Sequence, residues 1–147
     1  MADLVGNPNI IMIWPEGQRL SVPKPPAGYS VRTLPRERDA WWMAIQRRAV
    51  PSFPVTDLRQ WLERYRSLAL DEGILVAIHD RTGEAVATAG SIAHSQGGLF
   101  PGGGQLAWVA TVPENRRQGL SAWLCALATS RLQREGFRRI FLCTGDD

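Results

Sequence analysis

The segment from Leu106 to Ser121, together with the amphipathic helix that it leads into, constrains the fold of this chain more than any other part of its sequence. It opens with an apolar run typical of a buried strand and turns at Pro113. It then continues with apolar residues at helical spacing on one face, from Gly119 until a stop at Gly136. A strand followed so closely by a helix predicts an α/β structure built from layers of helix and sheet.

The rest of the sequence alternates between runs typical of strands and runs with apolar residues at helical spacing. Short apolar or alternating runs between turn residues predict strands, and amphipathic runs predict helices. One helix starts at a capping box formed by Asp57 and Gln60 and ends at Gly73. The predicted strands are residues 29–34, 74–79, 84–93, 105–112 and 139–143, and the other helices are residues 36–49 and 119–135. This order predicts an α/β fold with a mixed, mostly antiparallel sheet flanked by helices.

The chain has 147 residues, which suits a single layered domain. Residues 1–28 are predicted to be an irregular N-terminal extension, in which 10–14 could form a short strand, and residues 29–147 the domain itself. The sequence shows no secretory signal and no apolar run of membrane-spanning length, so we expect no membrane partner. Cys125 and Cys143 form neither a disulfide framework nor a metal-binding pattern, and we interpret them as packing residues of a cytoplasmic protein.

The basic charge of the chain is local. The formal net charge is +3, but the segment from Arg116 to Arg139 carries six arginines and one acid. Such a patch predicts a polyanionic ligand, either the phosphate groups of a cofactor or a nucleic-acid backbone. The arginines surround a glycine-bearing helix start and lack interleaved aromatic residues, so we favour the cofactor over nucleic acid. For any single arginine, a solvated helix face is the simpler interpretation.

The start of the helix at 119–135 has the features of an anion site. Free backbone N–H groups and the positive end of the helix dipole attract negative charge there. Gly119 lets a ligand approach the backbone, and Ser121 is small and brings a hydroxyl group. Arg116 and Arg117 can add charge-assisted contacts to phosphate. A plain capped helix explains each feature alone, but their combination directly after a strand favours a phosphate site.

A six-residue motif at this turn resembles the hallmark of the GNAT superfamily of N-acetyltransferases, Arg/Gln-x-x-Gly-x-Gly/Ala. It reads Arg116-Arg117-Gln118-Gly119-Leu120-Ser121, with serine at the last position as a mild departure. The preceding run 108–113 is similar to the family's fourth strand and proline turn. The order of elements resembles the family over residues 29–143.

The resemblance implies an acetyl-CoA site and transfer of the acetyl group to a primary amine by direct attack. In the family, amides at the helix start bind the pyrophosphate, which points here to residues 117–121 and to Ala122. The pantetheine arm lies along the fourth strand like an added strand, so that strand must separate from the next one. A bulge in it presents an amide to the thioester carbonyl. The cofactor-binding residues implied are Val109, Ala110, Thr111, Arg116, Arg117, Gln118, Gly119, Leu120 and Ser121.

Catalytic residues are not identified by the resemblance. The position that holds a general-base glutamate in some members is Gln105 here, and an amide cannot accept a proton at neutral pH. We assign no catalytic role to Glu16, His94 or Glu114. The tyrosine that serves many members as general acid falls in a C-terminal segment that has no counterpart in this sequence.

Relative to the family pattern, the sequence is C-terminally short. The resemblance implies a further helix and two strands, so we expect the strand at 139–143 to leave an unpaired sheet edge. A truncated chain, a homodimer or a domain swap could account for it. The alternative function is therefore a non-catalytic CoA-binding or interaction module with a degenerate or truncated active site.

The acceptor amine is not identified by the sequence, because the family's acceptor contacts come from the first two helices and the loops around them. Four aromatic residues lie in that region, and they are Trp41, Trp42, Phe53 and Trp61. Their helical spacing favours core packing over contact with a substrate.

Overall fold

The structure is a computed structural model that describes residues 10–51, 57–93 and 100–144. Within them, the apolar and alternating runs form strands and the amphipathic runs form helices. The strands are β1 (Ile10–Trp14), β2 (Tyr29–Thr33), β3 (Ala69–His79), β4 (Ala85–Ala93), β5 (Gly104–Thr111) and β6 (Ile140–Thr144). The α-helices are α1 (Asp39–Ala49), α2 (Leu58–Leu68) and α3 (Leu120–Arg134), and short 3-10 helices lie at Arg36–Arg38 and Pro113–Asn115.

The described strands form one mixed sheet in the order β1-β6-β5-β4-β3-β2. Neighbouring strands are antiparallel except β5 and β6, which are parallel because the crossover through α3 connects them. The predicted fold class, an α/β structure with a mixed, mostly antiparallel sheet flanked by helices, is confirmed.

Helices cover both faces of the sheet, and two adjacent residues of β4 show this directly. The Tyr65 hydroxyl of α2 occupies the space that a β-carbon on Gly90 would take. Ser91 instead donates a hydrogen bond to the carbonyl of Ala128 in α3, at 3.1 Å. Successive residues of a strand point to opposite faces, so α2 and α3 lie on opposite sides. Helix α1 lies on the side of α2, because the Trp42 and Tyr65 rings are in contact with centroids 6.0 Å apart.

Helix α2 ends earlier than the sequence predicts. It stops at Leu68, and Ala69 already pairs with β4. Gly73, the predicted helix stop, lies instead in a bulged part of β3, where Glu72 has a left-handed φ of 56°. A β-carbon on Gly73 would lie 2.7 Å from the Leu70 carbonyl oxygen, so the bulge requires glycine here. Sheet pairing therefore overrides the helical spacing at this end of α2.

The capping box predicted at Asp57 and Gln60 does not form. Asp57 is the N-cap residue of α2, but its side chain makes no capping hydrogen bond. The helix is held by burial of one face, which carries Leu58, Leu62 and Tyr65. Tertiary packing, and not the predicted local cap, thus stabilises α2.

Strand β1 covers the sheet edge that the sequence is expected to leave open. It pairs antiparallel with β6 over its whole length, from Ile10↔Thr144 to Trp14↔Ile140. The expectation of an unpaired edge on the strand near 139–143 is therefore wrong, and the reason for expecting a partner strand from a homodimer or a domain swap is removed. The domain boundary at residue 29 stays a prediction, although part of the N-terminal extension joins the sheet.

The two cysteines lie in regular elements and are free thiols. Burial raises the pKa of Cys125 in α3 to about 11, so this thiol is protonated at neutral pH and is a weak nucleophile. The described residues contain no cluster of three histidine, cysteine or acidic side chains that could hold a metal ion. Nor does any helix among them have the length and apolarity required to cross a membrane.

Candidate functional site

Strands β5 and β6 are joined at one end and separate toward the other. Their register runs from Gly104↔Ile140 to Leu106↔Leu142. Strand β5 continues to Thr111, beyond the last residue that this register pairs with β6. The separation that the family resemblance implies is thus present. It leaves an edge of β5 to which an extended ligand can add as a strand does.

A bulge in β5 lies where the two strands separate. The register with β4 shifts there by one residue, so that Trp108 and Val109 together lie opposite Ala89. Trp108 has a left-handed φ of 53°, which is rare for a bulky residue. Such a conformation costs on the order of 1–3 kcal/mol and persists only where the surroundings hold it. The bulge expected in this strand is confirmed.

A cavity of about 340 Å³ opens beside the bulge, between the second half of β5, the end of α1 and the start of α3. The residues that line it are Ala49, Val50, Val109, Ala110, Thr111, Asn115, Arg116, Arg117, Gly119, Leu120, Ser121 and Ala122. We call this space the α3 cavity. It combines a strand edge with a helix start, which is the arrangement that a ligand with an extended arm and phosphate groups requires.

The start of α3 presents its backbone to the α3 cavity. Gly119 is the N-cap residue, with φ of 80°, and nothing lies within 4 Å of the place that its β-carbon would take. Arg117 also has a left-handed φ, of 63°. The hydroxyls of Thr111 and Ser121 lie 2.9 Å apart and join the end of β5 to the first turn of α3. The first turn of α3 therefore lines the cavity, at the helix end where backbone N–H groups have no partner within the helix.

The Arg116 side chain donates hydrogen bonds to backbone carbonyls of the protein itself, which the sequence did not indicate. Its Nε donates to the carbonyl of Thr111 at 3.2 Å, and its Nη2 donates to the carbonyl of Ala49 at 2.9 Å. An ion pair between Arg48 and Glu114, 2.6 Å long, makes a second link between α1 and the same turn. The Glu114 carboxylate accepts hydrogen bonds from the Glu114 backbone amide and from Arg48, and these hold its pKa below the usual range. The end of α1 is thus anchored to the turn before α3.

The structure brings most of the predicted cofactor residues together around the α3 cavity. Eight of the nine line it, and Gln118 does not. Ala122, named beside them, lines it as well. The sequence missed Ala49 and Val50, because the end of α1 reaches this site only through tertiary packing, and it missed Asn115, which directly precedes the motif but is not part of it. The Asn115 side chain also donates to the Tyr29 hydroxyl at 2.8 Å, which ties the turn to β2.

No carboxylate or imidazole is among the described residues that line the α3 cavity. Gln105, at the position of the family's general base, is 9% exposed in β5. Glu114 is engaged by Arg48, and Glu16 is exposed and does not line the cavity. His94 lies outside the described residues. The Tyr65 hydroxyl is buried and donates to the Ala107 carbonyl at 3.3 Å, and burial raises its pKa.

Aromatic side chains of α1 and α2 pack on the bulge. The Trp108 ring contacts the rings of Trp42, Trp61 and Tyr65, with centroids 5.0, 6.1 and 6.4 Å away. Core packing is thus confirmed for Trp42 and Trp61. Trp41 is half-buried and packed against the core, and the guanidinium groups of Arg32 and Arg38 lie 5.6 and 5.3 Å from its ring centroid. Phe53 lies outside the described residues.

Comparison with known proteins points to one family. Residues 39–147 match the model of the family described as the acetyltransferase (GNAT) family. The fold is similar to a GCN5-related N-acetyltransferase from Sphaerobacter thermophilus (TM-score 0.73, 21% identity, 91% of this chain and 41% of that one). It is also similar to one from Kribbella flavida (TM-score 0.62, 27% identity, 97% and 50%). A Brucella melitensis GNAT family acetyltransferase in complex with acetyl-CoA has a TM-score of 0.61 and 18% identity, covering 78% of this chain and 74% of that one.

The family model shows the family of this chain, because it matches more than half of the sequence. The structural matches below 25% identity show the fold alone. This chain spans 41% and 50% of the lengths of the Sphaerobacter and Kribbella structures. No curated protein matches the sequence.

Proposed function

This chain belongs to the GNAT family of acetyltransferases, and from that membership we propose that it transfers an acetyl group from acetyl-CoA to a primary amine by direct attack, with the cofactor in the α3 cavity. The observation that carries the proposal is the joining of an open strand edge, a bulge and an unobstructed helix start around one cavity. Family membership gives acetyltransferase chemistry and an acetyl-CoA-binding fold. The site residues and the mechanism are our proposal.

The start of α3 is proposed to hold the pyrophosphate. The backbone N–H groups of 117–122 and the positive end of the α3 dipole attract phosphate oxygens. Gly119 supports this role, because a side chain there would stand in the open space beside the helix start. Arg117 supplies a guanidinium group for a charge-assisted contact, while Arg116 mainly shapes the turn through its own carbonyl contacts.

The second half of β5 is proposed to pair with the pantetheine arm. Val109, Ala110 and Thr111 line the cavity along the part of β5 that separates from β6. Backbone N–H and C=O groups of a strand edge pair with amides of an extended ligand as they would with another strand. This placement puts the thioester end of the arm beside the bulge at Trp108 and Val109.

The bulge is proposed to polarise the thioester carbonyl. The Val109 N–H donates a hydrogen bond to the carbonyl oxygen and stabilises the negative charge that develops there. The amine nitrogen attacks the carbonyl carbon, a C–N bond forms, and the C–S bond breaks. The electron pair of the C–S bond leaves on the CoA sulfur, and the proton lost by the amine nitrogen is passed through water to that thiolate. Besides this polarisation, the chain's own part is to orient the reactants.

Water carries the proton in this proposal because the lining residues include no base. The described lining of the α3 cavity holds no carboxylate or imidazole, and position 105 is glutamine. The same observation favours the second candidate, a non-catalytic CoA-binding module. Release of free CoA from acetyl-CoA in the presence of a panel of primary amines separates the two: a catalyst releases it with at least one amine, and a binding module with none.

We propose a cytoplasmic location because both cysteines are free thiols.

Placing a carboxylate at the helix start tests the cofactor site. We expect Gly119→Glu to weaken acetyl-CoA binding about 100-fold in a calorimetric titration, because a negative charge then faces the pyrophosphate. Gly119→Gln is the matched control, since it has the same size and the same backbone strain without the charge, and it should bind more tightly than the Glu variant.

A second control separates the site from the general charge of the chain. Gly136→Glu places the same carboxylate on another left-handed glycine, at the far end of α3. We expect its affinity for acetyl-CoA to stay within about threefold of the wild-type value. Equal losses in the two glutamate variants would contradict the proposed site, as would the absence of binding by the folded wild-type chain.

A further inference from the structure

One buried polar side chain of α1 is aimed at the bulge in β5. Gln46 is 6% exposed and lies one helical turn after Trp42, among the buried residues of that helix. Its Nε2 group donates a hydrogen bond to the carbonyl oxygen of Trp108, 3.3 Å away. A buried amide without a partner is costly, so this contact explains why the core-facing side of α1 retains a polar residue.

The hydrogen bond holds the peptide group between Trp108 and Val109. A trans peptide is planar, and its C=O and N–H point in opposite directions. Holding the Trp108 carbonyl therefore also sets the direction of the Val109 N–H. Trp42 adds a second hold, because its ring packs edge-on against the Trp108 ring at 5.0 Å. Helix α1 thus contacts both the side chain and the carbonyl of the residue with the left-handed φ.

We propose that Gln46 is a positioning residue for acetyl transfer, orienting the Val109 N–H toward the thioester carbonyl. This inference rests on the proposed function, in which that N–H polarises the carbonyl. Gln46 does not line the α3 cavity, so it acts through the bulge and touches no reacting atom. Its loss should therefore weaken polarisation of the carbonyl more than it weakens binding of the phosphates, which are held at the start of α3.

Isotope-edited infrared spectroscopy tests the inference without an identified acceptor. With acetyl-CoA carrying ¹³C at the thioester carbonyl, we expect the wild-type protein to lower the carbonyl stretching frequency relative to the free cofactor. In Gln46→Met, which keeps the side-chain length but cannot donate, most of that lowering should be lost. The dissociation constant of CoA itself, from calorimetry, should change by less than about threefold. The control Gln60→Met makes the same change at an exposed site on α2 and should keep the wild-type frequency.

The outcomes separate this inference from the proposed function. If the wild-type chain does not bind acetyl-CoA, both fail together. If it binds and lowers the frequency, and Gln46→Met lowers it equally, the positioning role is wrong while the proposed function stands. Should the Met variant fail to fold, the side-chain amide NMR signal of Gln46 in the wild-type protein decides: a shift with acetyl-CoA that CoA does not produce supports the role, and identical spectra overturn it.

Discussion

At the scale of single residues, Gly90 shows how closely β4 and α2 approach each other. The Tyr65 hydroxyl stands where a β-carbon on Gly90 would be, and the phenol ring carbon that bears it lies 2.9 Å from the same point. The hydroxyl donates to the Ala107 carbonyl in β5. One glycine thus lets a buried tyrosine reach across β4 to the strand that carries the bulge.

Gly90→Ala should destabilise the protein because the new methyl group displaces the Tyr65 hydroxyl. We expect the free energy of unfolding in a urea titration to fall by about 2 kcal/mol, the scale of overpacking in a tight core. The control is a double-mutant cycle with Tyr65→Phe, which removes the displaced oxygen. Gly90→Ala should cost less in the Phe background, and strictly additive effects would contradict the proposed clash.

At the scale of elements, α1 connects the parts of the candidate site. Gln46 contacts the bulge of β5, and the carbonyl of Ala49 and the side chain of Arg48 contact the turn before α3. The anchoring residues on the other side are Arg116 and Glu114. Residues 46–49, the last turn of α1, thus contact both the bulge and the turn before α3.

The two arginines of the motif should therefore differ in their effects. Arg116→Met loses hydrogen bonds to two carbonyls, so we expect the free energy of unfolding to fall by about 1 kcal/mol. For Arg117, the described residues show no hydrogen bond or ion pair, and Arg117→Met should change stability by less than about 0.5 kcal/mol. Arg117→Met should still weaken acetyl-CoA binding about tenfold, through loss of a charged donor.

Urea titrations and calorimetry on the two variants check this contrast. Each variant serves as the matched control of the other, since the substitutions are identical and adjacent in the sequence. A larger loss of stability in Arg117→Met than in Arg116→Met would contradict the structural role assigned to Arg116.

At the scale of the whole molecule, β1 completes the sheet. It pairs with β6, and the half-buried Trp14 packs on the small core cluster around Leu106, Leu132 and Ile140. The next three residues back along the strand, Ile11, Met12 and Ile13, are exposed. One short strand therefore protects the β6 edge while contributing little buried surface of its own.

Removal of residues 1–14 should expose that edge and lower the stability of the whole fold. We expect the free energy of unfolding to fall by about 2 kcal/mol, comparable to the loss of one large buried apolar side chain. We also expect the shortened chain to aggregate more, because an open edge strand favours aggregation. Removal of residues 1–9 is the control, as it leaves β1 intact. A shortened chain that matches the control in urea unfolding and light scattering would contradict this role of β1.

Much of the fold and of the candidate site follows from local patterns in the sequence. The sequence predicts the bounds of five strands within a few residues, except that β3 starts earlier than residue 74; the predicted strands are 29–34, 74–79, 84–93, 105–112 and 139–143. Eight of the nine predicted cofactor residues lie around one cavity, because they are adjacent in the chain and the turn between strand and helix brings them together. The errors at Asp57 and Gly73 arose where sheet pairing and core burial outweighed a local signal.

The sequence by itself determined the α/β class, the strand-turn-helix segment and the family, because period, turn chemistry and a short motif act between residues close in the chain. Only the tertiary structure decided which strand covers β6 and what holds the bulge. It also decided that Arg116 binds carbonyls of its own protein. These contacts join residues far apart in sequence: Gln46 and Trp108 are 62 positions apart, and Ala49 and Arg116 are 67. No local pattern records such pairs, since they form only when the helices pack on the sheet and bury their common face.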